Sequence, residues 1–144
     1  MQVTRPLVTL SLAVSLSLGL AGCGGDDPSE KLISKRDFLD QGNTICAAGN
    51  MAVDDVGNSI DQNDQEQLLT AISEQVVPLV RGQLEDLREL GYPEGDKDTL
   101  EAIYADTEGV LDTWEDDPAQ ALDDDRMAPI NERLGDYGLT QCAG

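Results

Sequence analysis

The sequence predicts an all-α protein, a small antiparallel bundle of about four helices closed by one disulfide. Apolar residues recur every three to four positions in several separate segments, which is the spacing of one buried helix face. No segment alternates apolar and polar residues over a sustained stretch, and no β-branched run is bounded by hairpin turns. Helices that each carry one apolar face bury those faces most simply by packing together, and short loops favour antiparallel neighbours.

Residues 1–22 predict a signal peptide that is removed from the mature protein. Arg5 precedes an apolar run from Leu7 to Leu20, and the small residues Ala21 and Gly22 follow it. The run has about 14 residues, whereas a helix that spans the bilayer needs about 20, so a permanent transmembrane helix is the poorer interpretation.

Cys23 ends the segment Leu20-Ala21-Gly22-Cys23, which resembles the lipobox of bacterial lipoproteins. The resemblance implies cleavage before Cys23, a diacylglycerol on its thiol, and acylation of its amine with a fatty acid such as palmitate. Two or three acyl chains anchor a protein stably, whereas one chain binds membranes only marginally. The expected location is therefore the outer face of the cell membrane. The alternative is a secreted protein with a chance cysteine near its cleavage site.

Residues 23–33 predict a flexible tether, and residues 34–144 predict one helical domain. The tether contains Gly, Asp and Ser together with Pro28. A chain of roughly 120 residues after the signal peptide fits one domain with its own core.

Ser34 is placed to cap the first helix, with an acid three residues later. The apolar stripe of this helix contains Gly42 and Gly49. Glycine disfavours helices, so we expect these two residues to let a neighbouring element come close. The polar residues 57–63 predict the turn that follows.

Asp64 predicts the start of a second helix, whose apolar stripe runs from Leu69 to Leu87. Pro78 interrupts this stripe. Because proline lacks a backbone donor and clashes with the preceding turn, we expect a kink or break near Val77. Gly91-Tyr92-Pro93 has the composition of a helix stop, so the helix should end at Leu90.

Three further segments complete the bundle. Asp98-Thr99-Leu100-Glu101 resembles a capping box that opens a third helix. Asp117-Pro118 predicts a short segment with proline in its first turn. The last helix has its apolar face from Met127 to Tyr137, with Pro129 tolerated only in the first turn, and Gly138 predicts its end.

Lipidation of Cys23 would leave two of the three cysteines, Cys46 and Cys142. In an exported chain an even remainder predicts one disulfide. Closing a loop of nearly 100 residues would stabilise the fold by roughly 4–5 kcal/mol in the chain-entropy model. A metal pair or a catalytic thiol is the alternative, but the chain has no histidine and no second ligand cluster near either cysteine.

The domain resembles small two-cysteine lipoproteins of actinobacteria. The resemblance covers almost all of residues 34–144, and its motifs are an entry cap, two cysteines and two helix stops. It therefore implies a fold, and it implies no catalytic residue. The segments that carry it are Ser34-Lys35-Arg36-Asp37-Phe38, Ile45-Cys46-Ala47-Ala48, Val77-Pro78, Leu90-Gly91-Tyr92-Pro93-Glu94-Gly95-Asp96 and Tyr137-Gly138-Leu139-Thr140-Gln141-Cys142.

The charge balance excludes several classes of partner. The chain has 29 acidic and 9 basic residues and a net charge of −20. Nucleic acids need rows of Lys and Arg, so we expect no nucleic-acid binding. Anionic lipid headgroups would also repel the domain itself. Basic proteins, basic peptides and cations remain possible partners.

Catalytic signatures are missing from the sequence, so we expect a non-enzyme without a cofactor. The chain has no histidine, which excludes His-based triads and the commonest zinc sites. It also lacks a Gly-x-Ser-x-Gly elbow and a glycine-rich phosphate loop. Paired carboxylates could hydrolyse glycosides, but one Trp and one Phe make a poor sugar cleft.

A weak cation site is conceivable in the acidic loop near residue 120, since Ca²⁺ takes six to eight oxygen ligands. The loop does not fit an EF-hand, and the alternative is a solvated acidic loop. The candidate ligands are Glu115, Asp116, Asp117, Asp123, Asp124 and Asp125.

The leading expectation is a lipid-anchored, non-enzymatic binding or accessory module for an envelope or exported protein. The alternative is a lipoprotein that binds a small ligand or a divalent cation, which would need a cavity between helices or ordered carboxylates. Tyr104 and Trp114 could line such a groove, but one Trp on an apolar stripe is more often part of the core.

Overall fold

A computed structural model describes residues 31–123 and 125–144 as a small all-α bundle, which confirms the predicted fold class. A π turn (Ile72–Val76) joins the second helix to the third, and a 3₁₀ turn (Pro118–Leu122) follows the fourth. The helices are α1 (Lys35–Ser59), α2 (Gln65–Ala71), α3 (Val77–Glu89), α4 (Lys97–Asp116) and α5 (Met127–Tyr137). Helix α1 packs on α3, α3 on α4, and α4 on α5.

The predicted signal peptide, Cys23 and residues 24–30 of the predicted tether lie outside the described residues. Residues 31–33, the end of that predicted tether, pack on the domain instead. The backbone N–H of Tyr92 donates to the carbonyl of Lys31 (3.0 Å), and the N–H of Ile33 donates to the carbonyl of Tyr92 (3.2 Å). Gly91 has φ +87°, and a side chain there would overlap the carbonyl of Lys31. These contacts extend the packed domain from Ser34 back to Lys31.

Helix α1 begins as predicted and ends later than predicted. The hydroxyl of Ser34 accepts a hydrogen bond from the N–H of Asp37 (3.1 Å). The helix continues to Ser59, so the turn predicted over 57–63 covers fewer residues. Asp64 then caps α2 through its carboxylate, as predicted.

A kink or break was predicted near Val77: the helix does not break there, but it leaves the regular α-helical form and passes through this region as a π turn. The N–H of Val77 donates to the carbonyl of Ile72, five residues earlier. In an α-helix, residues five apart point about 140° apart. The wider π turn brings Ile72 and Val77 to one face, and both are buried. Pro78 follows directly after this π turn, as the second residue of α3.

The predicted capping box at Asp98 is wrong. Helix α4 begins at Lys97, so Asp98 lies inside the first turn. Glu101, which should have reached back to the cap, accepts hydrogen bonds from Arg88 and Tyr92 instead. The competing partners on α3 and in the preceding loop therefore decide its conformation.

The core lies between α1, α3, α4 and α5. Gly138 ends α5 with φ +109°, and the next residue, Leu139, is fully buried. Side chains with relative exposure under 2% form the centre of this core: Tyr104, Phe38, Leu100, Ile103, Leu111, Leu139 and Val77.

The predicted disulfide joins Cys46 in the middle of α1 to Cys142 in the C-terminal segment, with a Cα–Cα distance of 4.9 Å. Two asparagines on the same face of α1 hold this segment beside the disulfide. Asn43 accepts from the N–H of Gln141 (2.8 Å) and donates to the carbonyl of Gly138 (3.0 Å). Asn50 donates to the carbonyl of Gln141 (2.7 Å). The tail is therefore held by side-chain hydrogen bonds as well as by the covalent bond.

Candidate functional site: a groove between α1 and α5

An open groove of about 460 Å³ lies between α1 and α5, beside the π turn. This volume falls within the roughly 300–1,000 Å³ that is usual for ligand pockets. The groove contains no basic residue, and the aliphatic part of its wall comes from three different elements. We call this surface the α1–α5 groove; it is lined by Asn50, Val53, Asp54, Val76, Val80, Gln83, Met127, Asn131, Cys142 and Gly144.

A small inner cavity of about 50 Å³ lies behind this groove. It is too small for a drug-sized ligand but has room for more than one water. The disulfide forms part of its wall, and the hydroxyl of Thr107 faces inward from α4 while donating to the carbonyl of Ile103 (2.9 Å). The cavity and the groove share five lining residues, namely Asn50, Val80, Gln83, Met127 and Cys142.

The groove forms because α1 extends beyond the core. Every fully buried residue of α1 lies at or before Cys46. Farther along the helix, Val53 and Val56 continue the apolar stripe but are only half-buried. On the opposite wall, the π turn places Val76 beside the groove while its neighbour Val77 is buried. The apolar stripe of α1 is thus longer than the surface available to cover it.

Gln83 separates the α1–α5 groove from a second groove. Its side-chain amide donates to the carbonyl of Cys46 (3.3 Å) and lies across Gly49. A Cβ atom at residue 49 would overlap that amide, so any larger residue there would displace the Gln83 side chain. The predicted close approach at Gly49 is confirmed.

The second groove, of about 540 Å³, lies between α1 and α3 on the other side of Gln83. We call it the α1–α3 groove. Its lining is mostly apolar or small, with one carboxylate from Asp86: Thr44, Ile45, Ala48, Gly49, Pro78, Leu79, Gly82, Gln83 and Asp86.

Each basic residue of the described chain interacts with another group of the protein, and several of these pairs lie on the exposed surface. Most of them pair with carboxylates that join neighbouring helices. The interactions are Lys31 with the carbonyl of Glu89, Lys35 with Asp96, Arg36 with Asp40, Arg81 with Asp112 and Glu115, Arg88 with Glu101 and Glu108, Lys97 over the ring of Tyr92, Arg126 with Thr113, and Arg133 with Asp106.

Arg88 organises the most elaborate of these pairs. It donates to Glu108 (2.7 Å) and Glu101 (3.2 Å) on α4 and lies 5.3 Å from the ring centre of Tyr104. The pKa of the guanidinium is raised, chiefly by the hydrogen bond to Glu108. Burial and the hydrogen bond to Glu101 raise the pKa of Tyr92 to about 12. This cluster holds α3 against α4.

A second cluster joins Lys35, Asp96 and Tyr137 at the end of the bundle. The carboxylate of Asp96 accepts from Lys35 (2.8 Å) and from the phenol of Tyr137 (2.7 Å). These two hydrogen bonds lower the pKa of Asp96. The ammonium of Lys35 also lies 3.3 Å from the ring centre of Tyr137. The cluster joins the start of α1, the loop before α4 and the end of α5, and its role is structural.

Among the residues of the acidic loop that the structure describes, the predicted cation ligands do not come together. In the described part of the chain, no three acidic or cysteine side chains are arranged to hold a metal ion. Glu115 pairs with Arg81, and Asp117 accepts from the side chain of Gln120 (3.1 Å). Asp116, Asp123 and Asp125 are exposed, and Asp124 lies outside the described residues.

Neither aromatic candidate lines the two grooves. Tyr104 is fully buried, its hydroxyl has no hydrogen-bond partner, and burial raises its pKa. Trp114 is partly buried against the core. Both residues therefore belong to the core, which was the alternative interpretation of the sequence.

Sequence reasoning missed both grooves. It assigned Val53, Val76 and Val80 to buried stripes, and nothing in their spacing distinguishes a half-buried valine from a buried one. One signal was available: Ile72 and Val77 are five residues apart, which is out of phase for an α-helix that has to bury both.

Comparison with protein families, curated proteins and solved structures finds no match to this chain. Among the described residues, the helices are too short or too polar to cross a bilayer. The grooves and the charge distribution are therefore the features that bear on function.

Proposed function

We propose that this protein is a lipid-anchored, non-enzymatic binding or accessory module for an envelope or exported protein, held through Cys23 on the outer face of the cell membrane. The observation that carries the binding role is the α1–α5 groove, a partly apolar surface on a strongly acidic domain. The lipobox-like segment Leu20-Ala21-Gly22-Cys23 supports the location. The lack of histidine and the full engagement of Arg88 and Lys35 favour binding over catalysis.

The experiment is cross-linking in the intact cell envelope, followed by affinity capture and mass spectrometry. We expect one reproducible protein partner, lost when charges on one helix face are reversed. A matched variant with the same number of reversals on the opposite face should retain it. If the wild type and both variants recover no protein above background, the binding role is contradicted.

The anchor is tested separately by mass spectrometry of the mature protein from the membrane fraction. We expect an N-terminal Cys23 carrying a diacylglycerol, and Cys23→Ser should release the protein from the membrane. An unmodified Cys23 in the membrane fraction would refute the anchor.

A second candidate function is the binding of a small ligand, which the groove volume of about 460 Å³ favours. The inner cavity alone, at about 50 Å³, would admit only a methyl-sized group or water. A ligand screen read by thermal shift distinguishes the two candidates, because a small ligand stabilises the protein in the absence of any partner.

A further inference from the structure

We propose that the α1–α5 groove binds the apolar face of a basic amphipathic helix in the partner protein. This inference rests on the proposed function, because it identifies the surface and the partner chemistry of the binding module. Three features of the groove support it: its apolar wall, its charge and its connection to the inner cavity.

The apolar wall fits a helix rather than an extended strand. Helices bind in grooves between other helices, whereas an added strand needs an exposed sheet edge, and the described residues form no sheet. Val53, Val76 and Val80 provide half-buried apolar surface along the groove. Their partial exposure means that a partner removes further apolar area from water, which favours binding.

The charge of the groove selects a basic partner. Asp54 lies in the wall, no Lys or Arg lines the groove, and the last turn of α1 contains no basic residue. The basic residues of the described chain are engaged with other groups, so a Lys or Arg of the partner can pair with Asp54.

The inner cavity distinguishes this groove from the α1–α3 groove. Met127 lies in the wall shared by the α1–α5 groove and the cavity, and methionine adapts its shape readily. An apolar side chain of the partner can enter at this point as an anchor. The α1–α3 groove, in contrast, shares only Gln83 with the lining of the cavity.

The test is the binding of a labelled Leu–Lys peptide, with leucines at helical i, i+3, i+4 and i+7 spacing, to the purified full-length chain at physiological ionic strength. Val53→Lys adds one positive charge inside the α1–α5 groove and should weaken binding about tenfold or more. Ala48→Lys adds the same charge in the α1–α3 groove and should change binding by no more than about twofold. Thermal unfolding of each variant verifies that it is folded.

A milder pair of substitutions keeps the test valid if Val53→Lys unfolds the protein. Asp54→Asn removes a carboxylate from the α1–α5 groove, and Asp86→Asn removes one from the α1–α3 groove. We expect only Asp54→Asn to weaken peptide binding. Equal weakening by both would show attraction by net charge alone and overturn the inference, as would equal binding of a Leu–Glu peptide of the same pattern.

Photo-cross-linking in the envelope separates this inference from the proposed function. A photoreactive residue at position 53 should capture the partner, whereas one at position 48 should not. Capture only from position 48 would overturn the groove assignment and leave the binding role intact. Failure of general cross-linking to recover any partner would contradict the binding role itself.

Discussion

Gly42 and Gly109 both lie inside helices, but their surroundings differ. Replacing each by alanine should therefore change the free energy of unfolding in opposite directions. A Cβ atom at residue 42 would lie 2.7 Å from Cδ2 of Leu139 and 3.2 Å from Cδ2 of Leu87, both buried in the core. A Cβ atom at residue 109 would meet nothing within 4 Å. Close packing therefore explains Gly42, and nothing in the structure explains Gly109.

We expect Gly42→Ala to lower the free energy of unfolding by about 1–3 kcal/mol, because the added methyl overpacks the core. Gly109→Ala is the matched control and should raise it by about 0.5–1 kcal/mol, since alanine favours the helix. Urea unfolding measures both. A neutral or stabilising Gly42→Ala would show that Leu139 moves aside easily.

Asp96 makes part of the stability depend on pH. Its pKa is lowered in the folded state by hydrogen bonds from Lys35 and Tyr137, so its contribution is present above the ordinary value of 3.8 and is lost as the pH falls through the depressed pKa. We expect Asp96→Asn to cost roughly 0.5–1 kcal/mol at neutral pH, a small value because Lys35 is partly exposed. Thermal unfolding as a function of pH should show this difference disappearing in acid.

The control for Asp96 is Glu94→Gln, which removes an exposed carboxylate from the same loop. We expect its effect to be close to zero at neutral pH. An effect of Asp96→Asn that persisted unchanged in acid would mean that the carboxylate charge is not responsible.

At the scale of elements, the π turn allows two groups of apolar residues, which are out of phase for an α-helix, to be buried on the same face. Ala71 and Ile72 are buried where the π turn begins, and Val77, Leu84 and Leu87 are buried after it. A regular α-helix would point these two groups in different directions. The one extra residue of a π turn corrects the phase, and such turns occur frequently at functional sites. Here the turn borders the α1–α5 groove.

We expect deletion of Gln75 to change the free energy of unfolding by no more than about 1 kcal/mol, because it removes the extra residue of the π turn and leaves Ile72 and Val77 four residues apart, on one face of a regular α-helix. Gln75→Ala keeps the chain length and should change stability by no more than about 0.5 kcal/mol, since Gln75 is exposed. Circular dichroism during urea unfolding measures both variants. A deletion variant destabilised by more than about 2 kcal/mol would show that the phase of the two flanking segments does not explain the π turn.

Most helix ends could be predicted because they depend on local chemistry. Ser34 and Asp64 accept hydrogen bonds from the first turns of their helices, and Gly138 takes the positive φ expected of a helix stop. The start of α4 could not be predicted in the same way. Its sequence offers a plausible local cap at Asp98, but Arg88 and Tyr92 compete for Glu101 from outside the helix. Tertiary partners overrode the local signal.

At the scale of the whole molecule, the disulfide connects residues 96 positions apart and closes most of the domain into one loop. We expect its reduction to lower the free energy of unfolding by roughly 4–5 kcal/mol. Asn43 and Asn50 should still hold the tail, so the reduced protein keeps its helical circular dichroism at low temperature. Cys23→Ser is the control and should leave stability unchanged, and equal stability of the reduced and oxidised forms would contradict the prediction.

The disulfide could be predicted from the sequence, whereas the groove could not. Counting cysteines in an exported chain leaves Cys46 and Cys142 to pair. The groove depends on how much of α1 the rest of the bundle covers, and the burial of Val53 follows from the lengths and positions of other helices. The acidic loop is the opposite case, a site that the sequence suggests but the structure does not form. Its clustered Asp residues suggest cation ligands, but these do not converge in the described part of the chain.

The pairing of residues 31–33 with Tyr92 determines where mechanical load enters the domain. Tension applied to the chain at Lys31 reaches the loop between α3 and α4 through two backbone hydrogen bonds before it reaches α1. The first turn of α1, which contributes Lys35 to the Asp96 cluster and Phe38 to the core, is therefore partly shielded from a pull. The attachment of the domain to its N-terminal segment thus divides a pulling force between α1 and the loop that joins α3 to α4.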